Sequence, residues 1–155
     1  MDKKISNFLY FIICYVFFIY LNLSLSNFIV YNIRHGYRFT SEIISLHYVK
    51  NTGAAFSILQ DSREILIILS VIALVLLFLY ALKHIKSISM KSLFFISLLS
   101  AGIAGNLHER ISLGYVRDFF ELSFLNNFPV FNVSDIFINI GVIALIILIL
   151  LKKTK

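Results

Sequence analysis

The chain has 155 residues, of which 59% are hydrophobic, 15% aromatic and only 14% charged, with a mean hydropathy of +0.90. Soluble domains average about 25% charged and 45–50% apolar residues, so this balance excludes a water-soluble globular fold and a disordered chain alike. The formal charge of +6 does not point to nucleic acid, because the basic residues flank apolar runs and form no stripe interleaved with aromatics.

The first apolar run covers residues 8–30 and follows Lys3 and Lys4. It turns polar at Asn22, Ser24, Ser26 and Asn27. Its apolar core is longer than that of a signal peptide, so it reads as a first membrane helix; cleavage at Ser24-Leu25-Ser26 is the second reading. Cys14 lies inside this run as a small packing residue. As the only cysteine, it excludes an intramolecular disulfide and a cysteine metal cluster. In the following loop, residues 31–64, Ile43–Val49 is rich in β-formers. Asn51-Thr52-Gly53 supplies a turn, and Ala54–Leu59 resumes an apolar run. The pattern predicts a strand–turn–strand element.

Residues 65–82 contain no charge and span about 27 Å as a helix, close to the hydrocarbon thickness. The short loop after them carries Lys83, His84, Lys86 and Lys91, a topology signal in contact with anionic lipid. The third run, residues 93–107, holds Ser97, Ser100, Gly102, Ala104 and Gly105, small residues that let helix backbones approach closely in lipid. A second longer loop, residues 108–134, contains Gly114 and Pro129, the only proline. The fourth run covers residues 136–151 and ends at Lys152-Lys153.

The expected fold is therefore a mainly α membrane protein. Four transmembrane helices and a small β element form one polytopic domain over residues 1–155. Four spans place both termini and the 83–91 loop on one side, with eight basic residues and one acid. The other side holds six basic residues and seven acids. The positive-inside rule then puts both termini in the cytoplasm and both longer loops outside.

Two of the outward acids, Asp118 and Asp135, sit in strongly apolar sequence at a membrane boundary. Ionisable groups in such places are commonly functional. Two carboxylates brought together share a proton, the chemistry with which an aspartic protease activates water and polarises an amide carbonyl. Spacing alone also allows a structural reading, with Asp135 as the N-cap of the fourth helix and Asp118 paired to Arg117 or Arg110.

Four motifs shift that balance. Asn51-Thr52-Gly53-Ala54-Ala55-Phe56 resembles the Asn-x-Gly-Ala-Ala-Phe box of bacterial lipoprotein signal peptidases, the type II signal peptidase family of aspartic peptidases. Gly105-Asn106-Leu107-His108-Glu109-Arg110 is similar to that family's Gly-Asn-Leu-x-Asp-Arg box. Gly114–Phe119 resembles its Gly-x-Val-x-Asp-Phe box, and Phe131-Asn132-Val133-Ser134-Asp135 resembles its Phe-Asn-x-Ala-Asp box. The order and spacing match from about Leu46 to Gly141.

The resemblance implies an intramembrane endopeptidase that cleaves prolipoproteins just before the lipid-modified cysteine. Asp118 and Asp135 fall on its catalytic aspartates. Asn51, Gly53, Asn106, Arg110 and Asn132 fall on polar or glycine positions around the substrate. It also implies an extracytoplasmic β-cradle, no cofactor or metal, and a location in the bacterial inner membrane. The expected partners are prolipoproteins and membrane lipids, not nucleic acid, with the chain acting as a monomer.

The sequence also departs from the family pattern. Asn22 and Ser26 stand where the family carries Asp-x-x-x-Lys, Glu109 replaces an aspartate, and Ser134 replaces an alanine. These departures leave two alternatives: a paralogue with altered or lost activity, or a membrane protein that binds lipidated peptides without cutting them. His108 reads as a solvated interfacial residue, with a proton relay or metal ligand as the less favoured option.

Overall fold

The computed structural model describes residues 2–53, 60, 62–125 and 128–153. Among the described residues, four apolar helices, each long enough to cross a membrane, and two strands follow in the order helix, strand, helix, helix, strand, helix. Helix α1 runs from Lys3 to Arg34, strand β1 from Ile44 to Asn51, and helix α2 from Arg63 to Lys83. Helix α3 runs from Met90 to Leu113, strand β2 from Val116 to Leu122, and helix α4 from Val133 to Lys153.

The helices outrun the apolar runs at their polar ends, and local chemistry explains where they stop. Asp2 caps α1 by accepting the Lys4 backbone N–H at 3.0 Å. At the far end Gly36 takes φ 92°, while the Gly36 and Tyr37 N–H groups bond back to Ile33 and Asn32. This left-handed glycine closure satisfies the last carbonyls of the helix. At 32 residues α1 is about 48 Å long, so one end projects beyond a hydrocarbon layer of about 30 Å. Helix α3 continues through Glu109 and Arg110, both buried, before Gly114 ends it at φ 87°.

Helix α3 is the centre of the bundle. Half of its apolar window is buried, against 17% in α1 and α4 and 11% in α2. Its low charge and small side chains make this possible. A Cβ on Gly102 would sit 2.6 Å from the Ser134 carbonyl, and one on Gly105 would strike the Asn22 amide and the Ser134 hydroxyl. Only glycine lets α3 and α4 come this close, as in other small-residue contacts between membrane helices. One apolar cluster, built on Phe11, Ala81, Ile85, Leu93 and Ile96, holds the end away from the sheet. Another, including Phe18, Phe119, Val133 and Phe137, lies under the sheet. The outward surfaces of α1, α2 and α4 expose Ile13, Phe17, Ile72, Leu76, Ile143 and similar residues, as lipid contact requires.

The sheet differs from the predicted hairpin. Strand β1 pairs antiparallel with β2, which lies in the second long loop, and Val49 faces Asp118. The second arm expected at Ala54–Leu59 lies outside the described residues. The turn expected at Asn51–Gly53 is an Asx turn that ends β1, with the Gly53 N–H donating to Asn51 Oδ1 at 2.9 Å. The register of β1 against β2 is irregular between Leu46 and Val49.

Candidate active site

The motif residues converge where β1 and β2 meet the ends of α3 and α4. Asn51, Asn106, Arg110, Asp118 and Asp135 line one cavity of about 900 Å³, while Gly53 and Asn132 stand outside its wall. Asp118 comes from β2 and is only 2% exposed. Strand alternation sends it inward while its neighbour Arg117 points the other way. Arg117 therefore does not pair with Asp118. Its guanidinium binds Glu109 Oε1, its backbone N–H binds Glu109 Oε2 at 2.7 Å, and Nη2 also donates to Asn27 at 2.9 Å.

Asp135 sits in the first turn of α4, but it is not the N-cap. Asn132 holds that position. Its Oδ1 accepts the Asp135 N–H at 3.0 Å, and Asp135 Oδ2 accepts the Asn132 N–H at 3.0 Å. This reciprocal pair has the form of a capping box and fixes the Asp135 carboxylate relative to the backbone. The same Asn132 side chain donates from Nδ2 to Asp118 Oδ1 at 2.7 Å and to Asn106 Oδ1 at 3.1 Å. One residue thus touches both carboxylates.

The remaining carboxylate oxygens are also occupied. Asn51 Nδ2 donates to Asp118 Oδ2 at 2.8 Å, and Asn106 Nδ2 donates to Asp135 Oδ1 at 2.9 Å. Three asparagine amides therefore orient two acids without neutralising either. Arg110, buried with both acids in its electrostatic range, donates from Nη2 to the Gly53 carbonyl at 2.8 Å. It ties the end of β1 to α3. Arg63, from the start of α2, donates to the carbonyls of Arg110 and Ile111 and ties α2 to the end of α3.

Burial, and then the nearby Asp135 charge, push the Asp118 carboxyl up to about 6 against the pull of the Asn51 and Asn132 amides. Its protonated form thus persists about two pH units above that of an ordinary aspartate. Two buried carboxyls that line one cavity and feel each other's charge can hold one proton between them. No group of three or more His, Cys, Asp or Glu side chains suited to a metal occurs among the described residues. His108 is exposed on α3, outside the cavity wall.

The site includes residues that sequence reasoning missed. Thr52, Gln60 and Asn139 also line the cavity. Asn139 lies one turn beyond Asp135 and was visible as the only amide in an otherwise apolar run. The departures at Asn22, Ser26 and Ser134 prove to be neighbours. Asn22 Nδ2 donates to Ser134 Oγ at 2.9 Å and to the Ala101 carbonyl at 3.3 Å. Ser134 Oγ lies 3.2 Å and Ser26 Oγ 3.5 Å from the Asn22 Oδ1 acceptor. The missing charges are replaced by a neutral, buried network directly behind Asp135.

Residues 12–151 match the family described as signal peptidase (SPase) II. The chain is 39% identical over 109 residues to a lipoprotein signal peptidase of Streptococcus agalactiae, covering 70% of each chain. It is 46% identical over 108 residues to one from Caldicellulosiruptor bescii, covering 70% of this chain and 68% of that one. A bacterial membrane enzyme solved by the in meso method at 2.3 Å shares 32% identity and superposes with a TM-score of 0.75. That match covers 94% of this chain and 89% of the other. With four apolar helices, a two-stranded sheet and a matching sequence over nearly its whole length, the chain belongs to the signal peptidase II family, multi-pass aspartic endopeptidases of the bacterial inner membrane that remove signal peptides from prolipoproteins.

Proposed function

We propose that Asp118 and Asp135 are the catalytic pair that cuts a prolipoprotein on the N-terminal side of its lipid-modified cysteine. The observation that carries this reading is the double bridge of Asn132, which hydrogen-bonds both carboxylates from one residue. In the resting state the pair holds one proton. The ionised carboxylate takes a proton from a water molecule as that water attacks the scissile carbonyl. The protonated carboxyl donates a hydrogen bond to the carbonyl oxygen and stabilises the charge developing there. Proton return to the departing amine nitrogen then breaks the C–N bond and resets the pair.

Asn51, Asn106 and Asn132 hold the acids in place. Arg110 and Gly53 fix the end of β1, where an extended substrate backbone can lie. Ile136, Ile138 and Asn139 line the cavity on the α4 side, which supports lateral entry of a substrate whose acyl chains stay in the bilayer.

The cavity end of the bundle faces outward in this reading, with both termini cytoplasmic. The support is the distribution of basic residues, and the loop containing Lys83, Lys86 and Lys91 lies at the opposite end. A cysteine at exposed Ser123, in a chain whose Cys14 has been replaced, reacts with an impermeant maleimide added to intact cells if this is right. Protection until the cells are opened overturns it.

The decisive experiment is cleavage of a diacylglyceryl-modified prolipoprotein by the purified protein. Asp118→Asn and Asp135→Asn each lower the rate by roughly 10²–10⁴-fold, the usual span for an acid–base group. Cleavage that survives either substitution removes that residue from the pair. No cleavage by the unmodified chain removes the activity.

A further inference from the structure

The cations at the cavity end of the bundle divide into two groups. Arg117 is neutralised by Glu109, Arg110 lies among the cavity carboxylates, and Arg63 is spent on the end of α3. Arg38 is turned back on the Ile33 and Tyr37 carbonyls. Arg34 and Lys50 remain exposed, and among the described residues neither has a carboxylate partner.

They are nevertheless held in place. Arg34 Nη2 donates to Tyr48 Oη at 2.9 Å, and its guanidinium lies 4.9 Å from the centre of that ring. Lys50 Nζ lies 5.0 Å from the centre of the Tyr115 ring. The two phenol oxygens are 3.3 Å apart. A guanidinium, two phenols and an ammonium thus form one connected assembly joining the end of α1 to the sheet.

Its hydrogen-bonding capacity is unfilled. Two phenols carry two hydrogens, and the bond between them uses one. Whichever phenol donates, the other hydrogen has no acceptor among the described residues. The Tyr115 hydroxyl is also shifted toward easier ionisation, first by its bond with Tyr48 and then by Lys50 and Arg34. Two fixed cations and a spare O–H donor call for a compact oxyanion with several acceptor oxygens, for which a guanidinium is well suited.

The position in the fold selects the source of that anion. Arg34 ends the longest helix, which projects from the hydrocarbon, and the exposed Tyr31 and Tyr37 lie three residues to either side of it in sequence. Aromatic side chains of this kind mark the headgroup level of a bilayer. We propose that Arg34, Lys50, Tyr48 and Tyr115 form a binding site for the phosphodiester headgroup of an anionic phospholipid. The lipid would brace the sheet against the membrane surface beside the mouth of the cavity, which Lys50 also lines. This site stands apart from the peptidase reading and holds whether or not the chain cleaves a given substrate.

The test is lipid association, measured without reference to activity. The purified full chain is placed in phosphatidylcholine nanodiscs containing a trace of spin-labelled phosphatidylglycerol or spin-labelled phosphatidylcholine. The motionally restricted fraction gives the relative affinity. The unmodified protein prefers phosphatidylglycerol. Arg34→Gln and Lys50→Gln each reduce that preference by roughly fivefold, the weight of one surface charge. Arg34→Lys and Lys50→Arg, which keep the charge, retain most of it and control for folding. An unchanged preference in the Arg34→Gln/Lys50→Gln double variant, measured in a background with Lys83 and Lys86 also neutralised, overturns the site. Displacement of the labelled lipid by glycerol phosphate at equal concentration overturns the lipid and assigns a soluble phosphate instead.

Discussion

The two ends of the bundle are held together by different physics. Away from the sheet, the buried Asn7 and Ser97 donate to the Ile85 and Phe11 carbonyls and contact no acid. Phe11, Ala81, Ile85, Leu93 and Ile96 close the helices there mainly with apolar contacts, Phe11 meeting the Phe78 ring edge-on with centroids 5.0 Å apart. Lipid tails are as apolar as these side chains, so their contribution is tight packing more than escape from water. At the sheet end, buried polar groups dominate: Asn22, Ser134, Asn132, Asp118, Glu109 and Arg110. Each carries a named hydrogen-bond partner, because an orphaned polar group in this environment is costly. Packing sets how strongly the helices associate. The polar network sets where two acids point.

If that division is right, substitutions at the two ends have separable effects. Short of replacing a carboxylate itself, the largest is expected for Asn132→Ala. It removes the α4 cap and a donor to Asp118 together, so kcat on a lipidated substrate falls roughly 10²–10³-fold, the range for losing one preorganised donor. A loss below tenfold would show that the carboxylates are held by other means. Phe11→Ala is the matching substitution at the packed end. It costs roughly 2 kcal/mol of stability, less than in a soluble core because lipid supplies part of the transfer term. Its kcat is unchanged, which a thermal melt and a rate measurement on the same sample decide.

Ser134→Ala is smaller again. It deletes the bond with Asn22 and leaves that amide its Ala101 carbonyl, at a cost of about 1 kcal/mol. Activity persists, since no carboxylate contact is lost. Equal damage to stability and kcat would show that the neutral network behind Asp135 also sets its position.

How much of this was visible in the sequence depended on range. The four spans were legible because a membrane helix is a local, continuous signal. Asp118 and Asp135 stood out as acids in apolar sequence, and the motif order said which family to compare. What failed was long-range or geometric. Strand β1 looked like the first arm of a hairpin, yet its partner lies 65 or more residues away, and alternation within β1 carries no information about that choice. Asp135 looked like an N-cap because Asp favours that position. Asn132, three residues earlier, takes it and frees the carboxylate to face the cavity. Arg117 and Asp118 are adjacent in sequence, yet neighbours on a strand point to opposite faces and the two do not pair. The departures at Asn22, Ser26 and Ser134 looked like separate losses and are one contact set.

The smallest expected effect concerns the proton. Asn51 pulls the Asp118 carboxyl down by donating to its ionised form. Asn51→Ala therefore raises the pH at which Asp118 ionises.

That effect leads to the measurement closest to the central claim, that Asp118 and Asp135 work by sharing a proton. The rate of single-turnover cleavage of a lipidated prolipoprotein is followed across pH. Asp118 is protonated below about 6 and ionised above it, so the shared proton is lost as pH rises. The rate is predicted to fall on the alkaline side with an apparent pKa of about 6, and Asn51→Ala moves that limb to higher pH. A rate that stays level or climbs as pH rises through this region would contradict a proton-sharing pair.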